Sequence, residues 1–218
     1  RYSDLIMWDR QTESWWQQFT GEAIIGSLAG KRLRFVPASI VSFSDFEAAY
    51  PGAKVLSRGT GFNKDYRRNP YPGYDRADLP PSLFAGSPDD RLQPKERVVG
   101  VTVNGVDVAF PFAILRSEKA VNYTVGGQDV VVLFKPGTRS ALDQSSIQTS
   151  KDVGATGVFV PVVDGRKLTF RADGESLVDN ETGSVWSILG RAVEGPLAGE
   201  RLTPIIHGDH LWFAWGAF

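Results

Sequence analysis

Asp9-Arg-Gln-Thr12-Glu-Ser14-Trp-Trp16 returns 170 residues later as Asp179-Asn-Glu-Thr182-Gly-Ser184-Val-Trp186. After a one-residue slip the match continues. Gly21, Ala23, Gly26, Leu28, Ala29, Gly30, Arg32 and Leu33 recur as Gly190, Ala192, Gly195, Leu197, Ala198, Gly199, Arg201 and Leu202. Tryptophan is scarce, and an ordered Asp/Thr/Ser set ahead of it is specific, so the match reads as an internal duplication. The motif itself reads as a turn. The Asp carboxylate accepts backbone N–H groups, Thr and Ser reinforce it, and Trp packs beneath. That assignment covers Asp9, Thr12, Ser14 and Trp16 in one copy and Asp179, Thr182, Ser184 and Trp186 in the other.

The duplication divides the chain into residues 1–56, a connector over 57–95, and residues 96–218. The second copy has a front section, 96–176, before its motif, whereas the first has only eight residues before Asp9. The expectation is a piece of a longer protein, with 1–56 the C-terminal half of a copy. The alternative is a permuted or half-deleted domain, complete as it stands. The connector is rich in Gly, Pro, Tyr and charge, and it is too long for a simple turn. It is either functional or a clamp across the two copies.

Strand signals dominate the rest. Asn104-Gly105 between Val-Thr-Val and Val-Asp-Val-Ala-Phe is a strong hairpin signal, because both central residues must accept positive φ. Gly126-Gly127 repeats the design ahead of Val130-Val-Val-Leu-Phe134, a run that suits a buried strand. Asp164-Gly165 predicts a third hairpin, and Gly195 to Gly199 a fourth, with a counterpart over Gly26 to Gly30. Helices are short. Ser44 to Glu47 is spaced as a capping box, Pro111 suits the start of one turn through Leu115, and Asp209 could cap a turn running toward Phe218. The predicted fold class is mainly β: duplicated, hairpin-rich, sheet- or barrel-like units with a few short helices.

Composition bounds the function. Lys+Arg number 24 and Asp+Glu 25, a formal charge of −1; nucleic-acid binding needs a cationic surplus that is not there. No apolar run is long enough to span a membrane. Cysteine is absent, which removes disulfides and thiolate chemistry within these residues.

The runs Ser3-Asp-Leu-Ile-Met-Trp-Asp-Arg-Gln-Thr-Glu-Ser-Trp-Trp16, Leu28-Ala-Gly30, Asp65-Tyr66, Asn69-Pro-Tyr71, Gly73-Tyr74, Lys95-Glu-Arg-Val-Val-Gly-Val101 and Trp212-Phe-Ala-Trp215 carry a resemblance over essentially the whole chain. The chain resembles an uncharacterised prokaryotic family catalogued as domain of unknown function thirty-one seventy-nine. The resemblance implies a further N-terminal section with a Cys-Pro-x-Cys element after a β-hairpin, often behind an export signal. It therefore implies an extracytoplasmic, periplasmic or secreted setting. The matching place in the second copy is Phe134-Lys-Pro-Gly-Thr138, where the proline stands without cysteines. The family supplies no activity.

Candidate chemistry is sparse. Asp9 with Glu13, or Asp179 with Glu181, could form a carboxylate pair for glycosidic cleavage, but strand geometry puts positions 9 and 13 roughly 13 Å apart. Moreover, Gln11 stands where Glu181 would need its equal. His207 and His210 flank Asp209, yet Gly208 disfavours the helix that a zinc spacing would need. Trp8 and Trp15 are the tryptophans expected to be exposed, because their counterparts are Val178 and Val185. In the connector, Tyr66, Arg67, Arg68, Tyr71 and Tyr74 have the residue types of interaction hot spots. These seven are the candidate ligand or partner contacts. No catalytic residue, metal or cofactor is assigned. The expected function is a non-enzymatic binding or assembly protein, accessory-subunit-like, with a protein partner or larger assembly and a glycan as a further possibility. The alternatives are a carbohydrate-active or other hydrolase using the acids, and a metal- or redox-handling factor whose cysteine section lies outside this chain.

Overall fold

The computed structural model describes residues 2–218. It is mainly β, with sixteen strands in several antiparallel sheets and three short helices. None of the sheets closes into a barrel among the described residues.

The first sheet is β1 (Ile6–Trp8), β2 (Trp15–Gln17) and β3 (Ala23–Ile25), followed by α1 (Phe43–Ala49). Residues 50–96 hold no helix or strand. Next come β4 (Arg97–Val103), β5 (Val106–Pro111), α2 (Phe112–Glu118), β6 (Ala120–Val125), β7 (Gln128–Lys135) and β8 (Ala155–Val160). Then follow β9 (Val162–Val163), β10 (Arg166–Lys167), β11 (Phe170–Asp173), β12 (Ser176–Asp179), β13 (Val185–Trp186) and β14 (Ala192–Glu194). The chain ends in β15 (Thr203–Pro204), β16 (His207–Leu211) and α3 (Trp212–Trp215).

The sheet β15-β8-β7-β6 is the centre. Strand alternation sends successive side chains to opposite faces, and β7 is apolar on both. Val131 and Leu133 enter one cluster with Phe159, Leu168, Phe170, Leu177, Trp186 and Ile188. Val130, Val132 and Phe134 enter another with Val99, Val101, Phe110, Phe112 and Leu115. One strand therefore serves two cores. The sheet β11-β12-β13-β14 covers one side, and β16-β4-β5 with α2 covers the other.

The predicted hairpins form where positive φ is demanded: Asn104 and Gly105 at 51° and 76°, Gly126 and Gly127 at 54° and 80°, Asp164 and Gly165 at 48° and 75°. The third hairpin has strands of only two residues. The helices differ from expectation. The cap of α1 is Ser42, whose hydroxyl accepts from Asp45 N–H at 3.1 Å, not Ser44. Pro111 is the cap rather than the first residue of α2, which runs two turns to Glu118. Asp209 caps nothing; it sits within β16 opposite Val99, because pairing with buried β4 outweighs the local turn preference.

Candidate functional site

The two tryptophan motifs build matching cages. In the first, Asp9 accepts from Thr12 N–H at 2.6 Å, Thr12 Oγ1 at 2.7 Å and Trp16 Nε1–H at 2.8 Å. In the second, Asp179 accepts from Thr182 N–H at 2.6 Å, Thr182 Oγ1 at 2.9 Å, Ser184 N–H at 3.1 Å and Trp186 Nε1–H at 2.9 Å. Ser14 and Ser184 each accept a backbone N–H from the following loop, Leu28 at 3.1 Å and Leu197 at 3.0 Å. Gly26 and Gly195 sit against those serines. A Cβ there would meet Ser14 Cα at 2.6 Å and Ser184 Cα at 2.7 Å, so neither tolerates a side chain.

Strand register matches as well. Met7↔Trp16↔Ala23 parallels Leu177↔Trp186↔Ala192, with a register shift after Trp15 and after Val185. The inward indoles Trp16 and Trp186 are both buried. The carboxylates are shifted accordingly. The Trp16 indole, then Thr12, hold Asp9 down at about 2. Burial pushes Asp179 up, but Trp186, Thr182 and Ser184 outweigh it and the net shift is downward. Glu181 is engaged elsewhere, accepting from Thr169 N–H at 2.7 Å and Thr169 Oγ1 at 2.8 Å.

The outward rows diverge. Trp8, Trp15 and Ile25 are cross-strand neighbours, 53%, 47% and 57% exposed. The matching row is Val178, Val185 and Glu194, of which Val178 is buried. Side chains opposite each other on adjacent strands share a face and touch, so the first sheet presents an apolar strip three strands wide. Ile25 was not singled out from sequence. The reasoning applied to Trp8 and Trp15 would have found it, since its counterpart is a glutamate.

The connector candidates do not converge in one place. Arg67 pairs with its neighbour Asp65 at 3.1 Å, and the Tyr66 hydroxyl bonds Thr60 Oγ1 at 2.6 Å. Arg68 is tied by its backbone to Ser146. Tyr71 is 63% exposed and meets Tyr74 edge-on at 6.3 Å. Tyr74 takes the Lys95 ammonium over its ring at 4.0 Å. The segment docks through backbone: Asn69 N–H to Ser145 O at 2.9 Å and Gly73 N–H to Asp143 O at 2.6 Å.

Its anchor is Asp75, which the sequence did not reveal. The buried Asp75 side chain meets Arg97 at 2.9 Å and Lys151 at 3.0 Å, and accepts from Ser140. Burial raises its carboxyl, yet Ser140, Arg97 and Lys151 outweigh it, so the group stays ionised more readily than usual.

The two histidines fall on opposite faces of β16, as strand alternation requires. His207 Nδ1–H donates to Ile205 O at 2.8 Å, leaving Nε2 buried without a partner. His207 lines a cavity of about 320 Å³ with Val41, Phe46, Tyr50, Phe159 and Arg201. His210 stacks on Trp215 at 5.5 Å and meets Phe19 at 4.8 Å; burial lowers it to about 4. Burial also raises Asp209, against a hydrogen bond from Thr156. A second cavity, about 570 Å³, lies between α1 and β12–β14 beside the Lys135–Asp45 ion pair. No group of three or more His, Asp or Glu side chains is placed to hold a metal among the described residues. No helix among them is long and apolar enough to cross a membrane.

No curated protein and no solved structure matches the chain significantly. A family described as protein of unknown function (DUF3179) matches residues 1–218, and the chain therefore belongs to that family.

Proposed function

We propose that this chain is a non-enzymatic, extracytoplasmic binding or assembly protein, and that the row Trp8–Trp15–Ile25 is its contact with another protein. The observation that carries the reading is the divergence between two sheets of matched register. Where one row is Val178–Val185–Glu194, the other exposes two indoles and an isoleucine. A folding role does not account for them, because the matching sheet forms the same cage with valines. The two units are best read as copies of one ancestral unit whose inner positions stayed alike while the outer ones parted.

The size of the effect is adequate. A tryptophan offers roughly 150–250 Å², so an indole half exposed leaves about 100 Å² to be covered. At about 25 cal/mol per Å² that is about 2.5 kcal/mol for each ring, in the range of an interface hot spot. Protein is favoured over glycan because Ile25, paired with Trp15 and exposed, extends the rings with a branched aliphatic group. Sugars stack on flat rings and gain little from branched aliphatics, whereas apolar protein surfaces pack on both. Hydrolysis is disfavoured because the oxygens of Asp9 and Asp179 are committed to their own turns.

The test is site-specific photo-crosslinking in the source cells. A reagent at position 25 should capture one discrete protein, and the same reagent at position 194 should not. Trp8→Ala with Trp15→Ala should abolish capture while moving the melting temperature by less than about 3 °C, within the usual range for surface substitutions. Undiminished capture by the double variant would overturn the proposal, as would retention on polysaccharide that the same change removes.

A further inference from the structure

The matched loops after β3 and β14 differ in one charge. In the first, Glu22 and Arg32 face each other across an antiparallel bridge and pair at 3.6 Å. In the second, the bridge is Arg191↔Arg201. The frame around them is the same: Leu33 N–H donates to Gly21 O at 2.9 Å, and Leu202 N–H donates to Gly190 O at 2.8 Å. Directly opposed like charges repel, and no carboxylate pairs with either arginine among the described residues. The place that holds an ion pair in one loop therefore holds two uncompensated guanidinium groups in the other.

Arg201 also lines the cavity of about 320 Å³. One wall comes from the chain around α1, which the Asp45–Lys135 ion pair holds over the central sheet, and the other from β8, β15 and β16. Val41, Phe46, Phe159 and Leu202 make the interior apolar. Its ionisable groups are Arg201, His207 and Tyr50, and neither Asp nor Glu lines it. The larger cavity differs, because there Asp45 and Glu175 stand against Lys135 and Arg191. His207 contributes a second polar atom. Its Nδ1–H is committed to Ile205 O, and Nε2 is buried without a partner. An unpartnered buried acceptor is costly, and a hydrogen-bond donor on a bound molecule removes that cost.

We infer that this cavity binds a small monocarboxylic acid with an apolar body, its carboxylate on Arg201 and its body against Val41, Phe46, Phe159 and Leu202. The planar guanidinium fork matches a carboxylate in two parallel hydrogen bonds. The apolar walls reward a hydrocarbon body and give nothing to a bare inorganic anion. Volume sets the size. An apolar cavity of roughly 150 Å³ holds benzene, so one about twice as large holds about twelve non-hydrogen atoms. The site lies apart from the Trp8–Trp15–Ile25 row, and neither reading depends on the other.

The test titrates 4-phenylbutyrate, octanoate and 2-naphthoate into the chain by calorimetry and follows the two histidine rings by NMR. At least one acid should saturate with a Kd of about 1 mM or tighter, which ordinary ligand efficiency gives for about twelve atoms. The His207 ring should shift on binding, and the His210 ring, on the opposite face of β16, should not; His210→Phe assigns the two. The matching alcohol should bind at least ten-fold more weakly than the acid, and Arg201→Gln should lose affinity for the acid by at least as much. Arg191→Glu offers Arg201 the partner that Arg32 has in Glu22, so it should weaken binding at least five-fold without lowering the melting temperature. Arg32→Gln should leave the affinity unchanged. Absence of saturable binding by all three acids, equal binding of acid and alcohol, or unchanged affinity in Arg201→Gln or Arg191→Glu overturns the assignment.

Discussion

Replacing Asp179 with alanine isolates the cage from everything else in the sheet. The carboxylate accepts four hydrogen bonds. Two come from Thr182, which is half-buried and can turn to water. The other two come from the Ser184 backbone N–H and the Trp186 indole, on residues 0% and 3% exposed. A buried donor left without an acceptor costs about 1–3 kcal/mol; the Trp186 indole is left so, whereas Ser184 N–H keeps a longer bond to Thr182 Oγ1 at 3.3 Å and loses only part of that amount, for a total of about 2–4 kcal/mol. A chain of this size loses roughly 2–4 °C of melting temperature per kcal/mol, and the middle of the range predicts a fall of about 9 °C. The assay is thermal unfolding followed by circular dichroism near pH 7. Asp179→Asn should lie between wild type and alanine, because its oxygen keeps two donors and its amide opposes the others. Asp9→Ala should give a visibly smaller fall, because its cage is open enough for water to replace the carboxylate. A fall below about 3 °C for Asp179→Ala, or an equal fall for Asp9→Ala, would refute the reasoning that burial of the donors sets the magnitude.

Two titrations follow from the buried groups. His210 has its pKa depressed from about 6.5 unfolded to about 4 folded, so its contribution is present above pH 6.5 and is lost as pH falls toward 4. The loss is about 3 kcal/mol, and denaturant titrations should find that window flattened in His210→Phe. Asp209 is shifted the other way by burial. Its stabilisation is whole below the unfolded pKa and is lost as pH rises through the folded one, so Asp209→Asn, which still accepts from Thr156, should be at least as stable as wild type at pH 7. A less stable variant would show that the charge is paired better than its contacts with Thr156, His207 and Arg97 indicate.

What the sequence disclosed was whatever depends on near neighbours. Asn104-Gly105, Gly126-Gly127 and Asp164-Gly165 fold as read because positive φ is a demand of two adjacent residues. The five-residue run from Val130 reads as buried because both alternating faces are apolar. The start of α1 was misjudged because Ser42 and Ser44 each precede an acid by three residues, Asp45 and Glu47. What separates them is the Asp45–Lys135 ion pair, formed across 90 residues. Asp209 looked like a cap for the same reason: its strand partner Val99 lies far upstream. The connector's anchor was invisible on the same grounds. Asp75 finds Arg97, Ser140 and Lys151 across 22, 65 and 76 residues, and no local pattern encodes such a meeting.

The candidate surface was half legible, and the reason lies in how two sheets of matched register expose the positions at which they differ. Within one unit, an exposed tryptophan carries no message, because single apolar side chains are common on protein surfaces. Set against a second unit of identical register, the same residue becomes a departure from an internal control. The cage uses inward positions, Asp9, Trp16 and Ala23 against Asp179, Trp186 and Ala192, and strand alternation leaves positions 8, 15 and 25 free of that task. Substitutions there neither open the turn nor shift the register, so selection on the outer row is decoupled from selection on the fold. Three of three outer positions in the first unit carry large apolar groups. Independent surface drift does not favour such a row, because contiguous exposed apolar groups invite aggregation.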